Sequence, residues 1–311
     1  MPKLGEGNLK KMFGVIVDKE NDDVIYNDAE HCYLSKKDGS KYISVTTLIH
    51  NYTQPFDSQF WASYKACEFL LGNEFYDLKK ILLSNKIWKD SYLEKYGIDK
   101  NQFFAKKNEI LESYKVKNRE ACERGTKIHN ELENLFYDKD EKHIRKYAGG
   151  GNFTIKKGDY KLNVEQGIYP EFLISYEFDK YLRISGQVDL LILDGNNVTI
   201  RDWKTNSKID RESYFDKATK SRQMMKYPLN NIQDVNFWHY ALQISTYAYM
   251  LEKIKPSLKI KHLYINHFDH DGNETEYECP YLKDDVIKML LHYRKINKSK
   301  IELDKDKPII F

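Results

Sequence analysis

The sequence predicts an α/β protein, and two features of its second half carry that prediction. From Asn101 onward the predicted elements run in the order helix, three strands, helix and strand. Two of those strands flank Asp194-Gly195, a dipeptide typical of the tight turn in a β-hairpin. The first half of the chain adds an N-terminal hairpin and a helical extension.

Residues 1–100 are predicted to form this N-terminal hairpin and helical accessory region. Residues 24–34 and 41–45 flank the Asp38-Gly39 turn signal and are expected to pair as the hairpin. Apolar residues then recur at a spacing compatible with helices. The three helical stretches are residues 46–51, 60–71 and 74–84.

Residues 101–311 are predicted to form the core. A long helix over residues 101–136 leads into a charged connection, residues 139–167, in which one short strand is expected at most. The clearest helix carries an apolar stripe at spacings of four and three: Phe237, Ala241, Ile244, Ala248 and Leu251. The predicted strands are 172–178, 187–193, 198–203 and 260–268, and the remaining helices are 237–252 and 284–295.

The hairpin around Asp194-Gly195 brings two carboxylates together. Asp189 interrupts an otherwise apolar run, residues 188–193, and is expected to be semi-buried. If the turn is symmetric, Asp189 faces Asp202 on the second strand. Like charges opposite each other on a sheet are destabilising, and a buried unpaired carboxylate costs several kcal/mol. A cation bound by both aspartates would remove this conflict.

Lys204 adds an ammonium group to the pair. Because side chains alternate along a strand, Asp202 and Lys204 share one face, and Trp203 points to the other, into the core. A hard, oxygen-ligated ion such as Mg²⁺ beside an ammonium group suits attack by water on a phosphodiester, with Lys204 orienting or stabilising the nucleophile. The same pattern is compatible with an ordinary hairpin whose aspartate and lysine are solvated.

The composition is that of a folded protein and leaves its partner open. The chain has 311 residues, enough for one elaborated domain or two. With 41% hydrophobic and 31% charged residues it is not a disordered chain. Its net charge of +3 is too small to establish a nucleic-acid partner.

The cysteines and apolar segments indicate an intracellular, cytoplasmic protein without a membrane partner. Cys32, Cys67, Cys122 and Cys279 are widely separated, which favours reduced thiols over a metal site. No apolar segment approaches the roughly 18 residues of a membrane helix. The composition leaves the source open, with a virus or a low-GC bacterium as candidates.

These motifs and their order resemble the PD-(D/E)XK nuclease superfamily, and within it the RecB-like exonuclease branch, over roughly residues 124–268. The resemblance implies a restriction-endonuclease-like core, with a central mixed β-sheet flanked by helices. It also implies that Asp189 and Asp202 bind Mg²⁺ or Mn²⁺ together with the Trp203 carbonyl, and that Lys204 assists the attacking water.

Two further motifs of this branch are present. Gly125, Thr126 and His129 match its Gly-Thr-x-x-His pattern, which implies a metal ligand or near-ligand at His129 and a substrate contact at Thr126. Gln243 and Tyr247 match its Gln-x-x-x-Tyr pattern, which implies support of the catalytic lysine and of the DNA backbone. Taken alone, a single histidine more often lines its helix, and the second pair fits the polar flank of an amphipathic helix.

Relatives also carry a glutamate on the strand before the first aspartate. Glu171 and Glu177 both fit this position and share a strand face, and Glu177 is preferred because it lies nearer the hairpin in sequence. Either could instead be solvated.

Polar and basic residues follow the lysine. Thr205 and Asn206 are small polar residues of the kind found there in relatives and could donate hydrogen bonds to a phosphate. The basic loop beyond them fits either DNA contact or solvated surface. Its basic residues are Lys208, Lys217, Lys220, Arg222 and Lys226.

The resemblance implies a Mg²⁺-dependent DNA exonuclease that processes single-stranded or free DNA ends in replication, recombination or repair. The alternatives are a structure-selective or restriction-like endonuclease and a non-catalytic nucleic-acid-binding protein. Closely spaced cysteines are missing, so no iron-sulfur cluster is expected. A GxxxxGK[ST] loop is also missing, so a separate helicase or strand-annealing protein is a candidate partner.

Overall fold

Nine strands form the central sheet of the computed structural model, which describes residues 19–27, 29–149, 151–158, 164–216 and 220–305. Lys217 of the predicted basic loop lies outside these ranges. The strands of this sheet are β1 (Lys19–Glu20), β2 (Val24–Asn27), β3 (Cys32–Ser35), β4 (Lys41–Ser44), β5 (Gly167–Asp179), β6 (Leu182–Asp194), β7 (Asn197–Lys204), β10 (Lys259–Phe268) and β11 (Glu274–Glu278). Two short strands, β8 (Phe215–Asp216) and β9 (Ser221–Arg222), pair separately.

The central sheet is mixed, as the resemblance implied. Its order is β1, β2, β3, β4, β6, β7, β10 and β11, and β5 pairs with β6 off this path. β4 runs parallel to β6 and β10 runs parallel to β7, whereas the other pairs are antiparallel. The N-terminal strands are therefore continuous with the sheet of the core, because β4 pairs with β6.

β6 and β7 form the hairpin predicted around Gly195. Leu190 pairs with Arg201 and Asp194 with Asn197, so the predicted register is confirmed, and it places Asp189 across from Asp202. Gly195 has a φ of +59°, a backbone conformation that a residue without a side chain adopts at little cost.

Helices cover both faces of the sheet. The described helices are α1 (Val45–His50), α2 (Ser58–Leu71), α3 (Tyr76–Asn85), α4 (Ser91–Lys95), α5 (Lys100–Tyr137), α6 (Glu141–Ala148), α7 (Asn236–Ile254) and α8 (Lys283–Lys305), with a 3-10 turn at Gly72–Phe75. The predicted apolar stripe of α7 is buried and shares the main hydrophobic core with Leu191 and Ile200. On the other face Trp203 packs among residues of α5 and α6, including Phe136 and Tyr147. Among the described helices, none has both the length and the apolar composition needed to cross a membrane.

Residue contacts divide the chain into two units, one of Met1–Gln54 with Ile128–Phe311 and one of Pro55–Lys127. The first unit holds the central sheet, α1 and α6 to α8. The second has its own hydrophobic core, which includes Phe60, Leu78, Leu93 and Phe103. The predicted boundary at residue 100 falls within this second unit.

Several short described elements are absent from the sequence prediction, and α6 and β11 are two of them. α6 has only eight residues and begins where the Asp140 side chain accepts hydrogen bonds from the Lys142 and His143 N–H groups at 2.9 and 3.2 Å. β11 has five residues, three of them glutamates, and pairs with β10 at the end of the strand order. A short, charged edge strand carries little of the apolar pattern on which strand prediction depends.

Candidate metal centre and active site

Asp189 is buried at the hairpin, and the backbone of β7 fixes its carboxylate. The Trp203 N–H donates a hydrogen bond to Asp189 Oδ2 at 2.6 Å, and the residue is 9% exposed. The other oxygen, Oδ1, lies 3.7 Å from Nδ1 of His129 on α5. The predicted association of Asp189 with His129 is therefore present in the structure.

The backbone of Trp203 also sets the tautomer of His129. Nε2 of the imidazole lies 3.2 Å from the Trp203 carbonyl oxygen, which can only accept, so Nε2–H donates. In the neutral imidazole Nδ1 then carries the lone pair, and this nitrogen faces the carboxylates. A histidine oriented by a carbonyl in this way is typical of metal ligands.

Glu171 completes a group of three possible ligands. Its Oε1 lies 3.7 Å from His129 Nδ1, and one ligand atom from each of His129, Glu171 and Asp189 lies within 4.8 Å of the others. Gln187 donates a hydrogen bond to Glu171 Oε2, and Lys19 Nζ lies 4.0 Å from the same oxygen. Glu171 Oε1 is buried without a hydrogen-bond partner among the described residues.

The preference for Glu177 over Glu171 is corrected by this geometry. Because β5 and β6 are antiparallel, the glutamate farther from the hairpin in sequence lies nearer to Asp189 in space: Pro170 pairs with Leu190 and Phe172 with Val188. Glu177 instead forms an ion pair of 3.1 Å with Arg183, its partner in the register.

The backbone at Glu171 is in a conformation that the sequence does not reveal. Its φ is +50°, in the left-handed region that costs a residue with a side chain about 1 kcal/mol or more. The residue lies between two paired positions of β5, so the strand departs locally from regular alternation. Strain at such a position is typical of functional sites.

Burial and charge perturb the titration of this group. Burial disfavours the charged imidazole of His129, but the Asp189 and Glu171 carboxylates outweigh it and raise its pKa to about 9. Burial also raises the pKa of Asp189, which the positive charge of His129 opposes and the negative charge of Glu171 reinforces.

Asp202 and Lys204 form an ion pair beside these residues. Asp202 is 1% exposed, and burial raises its pKa to about 6 against the opposing charge of Lys204. Burial would lower the pKa of Lys204, but Asp202 and then Asp189 outweigh it and raise that pKa, so the ammonium is charged at neutral pH. Asp202 is not one of the three clustered ligands, and the Trp203 carbonyl accepts the hydrogen bond from His129.

Gln243 and Tyr247 on α7 support Asp202. Gln243 Nε2 donates to Asp202 Oδ1 at 3.2 Å and lies 3.3 Å from the Tyr247 hydroxyl oxygen. Gly186 of β6 makes room for that ring, since a Cβ atom there would lie 2.6 Å from Tyr247 Cε1 and 2.8 Å from its hydroxyl oxygen. The structure therefore links Gly186, Tyr247, Gln243 and Asp202 in one chain of contacts.

Comparison with known proteins finds a family model that matches part of the chain. Residues 153–295 match the model of the PD-(D/E)XK nuclease superfamily. This part of the chain is similar to that superfamily. The match includes both aspartates, the lysine, Glu171 and the Gln243–Tyr247 pair, whereas His129 precedes it.

Two solved structures resemble the chain weakly. One, the protein named SSO0001, is 14% identical with a TM-score of 0.32, over 82% of this chain and 76% of that chain. The other, named "Putative exonuclease" and from Eubacterium rectale, is 12% identical with a TM-score of 0.30, over 84% of this chain and 79% of that chain. No curated protein matches the chain. Structural likenesses at this level support no conclusion about function.

The donor set fits a divalent cation of the kind that PD-(D/E)XK nucleases use. Two carboxylates and an imidazole nitrogen converge, and Glu171 Oε1 is a buried acceptor without a donor among the described residues. Oxygen donors suit Mg²⁺, and the addition of an imidazole is equally compatible with Mn²⁺. The three side chains could therefore hold either ion.

The predicted substrate-binding residues are less closely gathered. Thr205 and Asn206 directly follow β7 and are partly buried, and Asn206 donates a side-chain hydrogen bond to the Lys208 carbonyl. Thr126 is exposed on α5, within the second unit.

Sequence reasoning missed His267, which is buried and whose Nε2 donates to the Asn206 carbonyl at 2.5 Å. Its place opposite Lys204 in the parallel pairing of β10 with β7 could not be seen without that register.

Proposed function

We propose that the protein is a metal-dependent DNA exonuclease that hydrolyses phosphodiester bonds at single-stranded or free ends in replication, recombination or repair. The convergence of His129, Glu171 and Asp189 beside the Asp202–Lys204 ion pair carries the proposal. The superfamily match supports phosphodiester chemistry. The contacts of His129 and Gln243 support the RecB-like branch, whose motifs include both residues.

His129, Glu171 and Asp189 are the residues that would hold Mg²⁺ or Mn²⁺. When bound, such an ion polarises a phosphoryl oxygen and lowers the pKa of a coordinated water. The Trp203 backbone positions two of these three side chains, because its N–H binds Asp189 and its carbonyl binds His129. Its role in this proposal is to orient ligands, in addition to the direct metal contact that the resemblance implied.

Lys204 acts as a fixed positive charge. Because its pKa is raised, it is protonated at neutral pH and cannot serve as the general base. Its ammonium group can orient the attacking water and stabilise the negative charge that develops on the phosphate. Asp202 keeps that ammonium in place, and Gln243 holds Asp202 through its side-chain amide.

The residues after β7 are proposed to contact the scissile strand. Thr205 and Asn206 follow Lys204 directly and can donate hydrogen bonds to a phosphate. His267 holds the Asn206 carbonyl and thereby fixes the path of this segment next to the lysine. Thr126 is proposed as a further substrate contact on the strength of the family motif.

An assay with end-labelled linear DNA, covalently closed circular DNA and RNA, each with Mg²⁺ or with a chelator, tests the proposal. We expect digestion of linear DNA that requires the metal and that Lys204→Ala abolishes. Lys253→Ala is the matched control, since Lys253 is exposed on α7 and contacts the Tyr249 ring. Equal cutting of closed circles would identify an endonuclease, and absence of both metal binding and cleavage would leave a non-catalytic binding protein.

A further inference from the structure

A groove of about 620 Å³ lies along the outer face of α8, and Tyr227 and Pro228 form part of its wall. Lys288, Lys295 and Lys300 line it, together with Leu291, Ile296 and Leu303. None of the residues named above as metal ligands or as their supports contributes to its walls. The groove is therefore a feature of the surface separate from the catalytic cluster.

The charge of this groove is positive. Its lining contains three lysines and a histidine but no carboxylate. Lys288 is partly neutralised by Asp285 at 3.3 Å. Lys295 and Lys300 form no ion pair with a carboxylate of the described residues. Two ammonium groups that lie five positions apart on α8 and have no ion-pair partner among the described side chains are suited to bind a flexible polyanion.

The groove also presents an aromatic ring and aliphatic side chains to solvent. Tyr227 is 71% exposed, and its ring stands edge-on to the His292 ring with the centroids 5.2 Å apart. His292 is itself held by the Tyr52 hydroxyl, which lies 3.1 Å from its Nδ1. Leu291 and Leu303 are 61% and 67% exposed. The tyrosine is thus supported from one side and open on the other.

We infer that this groove binds a single strand of nucleic acid, with phosphates on Lys295 and Lys300 and a base stacked on Tyr227. Sequence-independent single-strand sites combine a cationic track with exposed aromatic rings in this way. A duplex would satisfy the lysines but would leave the ring without a free base face. An acidic peptide or a second copy of the chain would use the same charges and is separated from a nucleic-acid strand by the experiment below.

The groove is built on the elements that hold the catalytic cluster. The inner face of α8 contributes Val286 and Met289 to the main core, which also contains most of α7, the helix that carries Gln243. Tyr227 belongs to the segment between Lys204 and that helix. A strand bound in the groove is therefore held by the same unit that carries the catalytic cluster. This inference rests on the proposed nuclease function.

The inference predicts a dependence on substrate length. A strand long enough to reach both places gains affinity from the groove, whereas a short oligonucleotide that fills only the catalytic cluster does not. Loss of the groove should then raise KM for long single strands and leave kcat unchanged, because the groove residues touch none of the reacting atoms.

Fluorescence anisotropy with a labelled oligothymidylate of about 30 nucleotides tests binding without cleavage when a chelator is present. We expect Lys295→Ala with Lys300→Ala to weaken binding about 10-fold and to lower the salt slope by about 1.4, since two phosphate contacts are lost. Tyr227→Ala should weaken binding about 5-fold or more through lost stacking. Lys298→Ala is the matched control, because Lys298 lies on the same helix, pairs with Glu302 at 3.8 Å and does not line the groove.

Unchanged affinity in both groove variants would overturn the inference, as would a loss of self-association, measured by sedimentation, in place of a loss of DNA binding. Weaker binding than wild type, with the control unaffected, would support it. The outcome is independent of catalysis. A wild-type protein that binds the oligonucleotide through the groove but never cleaves DNA would retain this inference and refute the proposed nuclease.

Discussion

Glu171 and Glu177 lie on the same strand, and replacing each by glutamine distinguishes a proposed metal ligand from a member of a surface ion pair. Both substitutions remove a single negative charge and keep the shape of the side chain. Glu171 Oε1 lies 3.7 Å from His129 Nδ1 within the proposed ligand group, whereas Glu177 pairs with Arg183. The two glutamates therefore serve as matched test and control.

The magnitude follows from the distances. Two unit charges 4 Å apart interact by about 4 kcal/mol at an effective dielectric constant of about 20, and a divalent ion doubles this value. Desolvation of the buried carboxylate offsets much of the attraction. A net loss of about 3 kcal/mol remains a conservative expectation, which corresponds to roughly 100-fold weaker metal binding. An exposed ion pair such as that of Glu177 contributes at most about 1 kcal/mol to folding and nothing to metal affinity.

Titration with Mn²⁺, followed by calorimetry, and cleavage of linear DNA at fixed metal concentration provide the two readouts. We expect Glu171→Gln to lose about 100-fold in metal affinity and at least as much in activity, and Glu177→Gln to match the wild type. Without metal, Glu171→Gln should unfold no more easily than the wild type, because it relieves repulsion with Asp189. Equal losses in the two variants, or a loss at Glu177 alone, would refute the assignment of Glu171.

Three further predictions follow from the same geometry. Gly186→Ala should destabilise the protein by about 1–3 kcal/mol and reduce cleavage, because its Cβ would collide with the Tyr247 ring. In urea unfolding, the double variant with Tyr247→Ala should lose less stability than the sum of the losses in the two single variants. Simple additivity of the two losses would contradict the contact. Gln243→Leu should lower kcat by about 10-fold or more with little effect on metal affinity, since it removes the hydrogen bond to Asp202, and a fall in metal affinity instead would place Gln243 among the ligands. Metal affinity should rise as the pH rises toward about 9, the pKa of His129, because only the neutral imidazole can bind the ion. Calorimetry in two buffers at pH 7 should show the release of about one proton for each ion bound. His129→Ala should abolish this proton release.

Local sequence patterns were sufficient to predict the longer elements of the core and the register of its hairpin. The Asp194-Gly195 turn fixes which residues of β6 and β7 face each other, so the proximity of Asp189 and Asp202 could be inferred without coordinates. The apolar stripe of α7 likewise predicted a buried helix with Gln243 on its flank.

The sequence was insufficient where the answer depended on the direction of pairing or on an unusual backbone conformation. Proximity in sequence favoured Glu177, but the antiparallel pairing of β5 with β6 brings Glu171 to Asp189. The positive φ of Glu171 could not be predicted either, because glutamate is not a residue type that favours this conformation. His267 reaches the segment after Lys204 only through the parallel pairing of β10 with β7. The short, charged strand β11 lacks the apolar alternation that identifies longer strands.

Anomalous diffraction from crystals soaked in Mn²⁺ would locate the bound ion among the proposed ligands. We expect an anomalous peak bonded to His129 Nδ1 and to one carboxylate oxygen each of Glu171 and Asp189, the three atoms already clustered in this structure. A peak elsewhere, or none at these atoms at saturating Mn²⁺, would contradict the claim that these three residues form the metal centre.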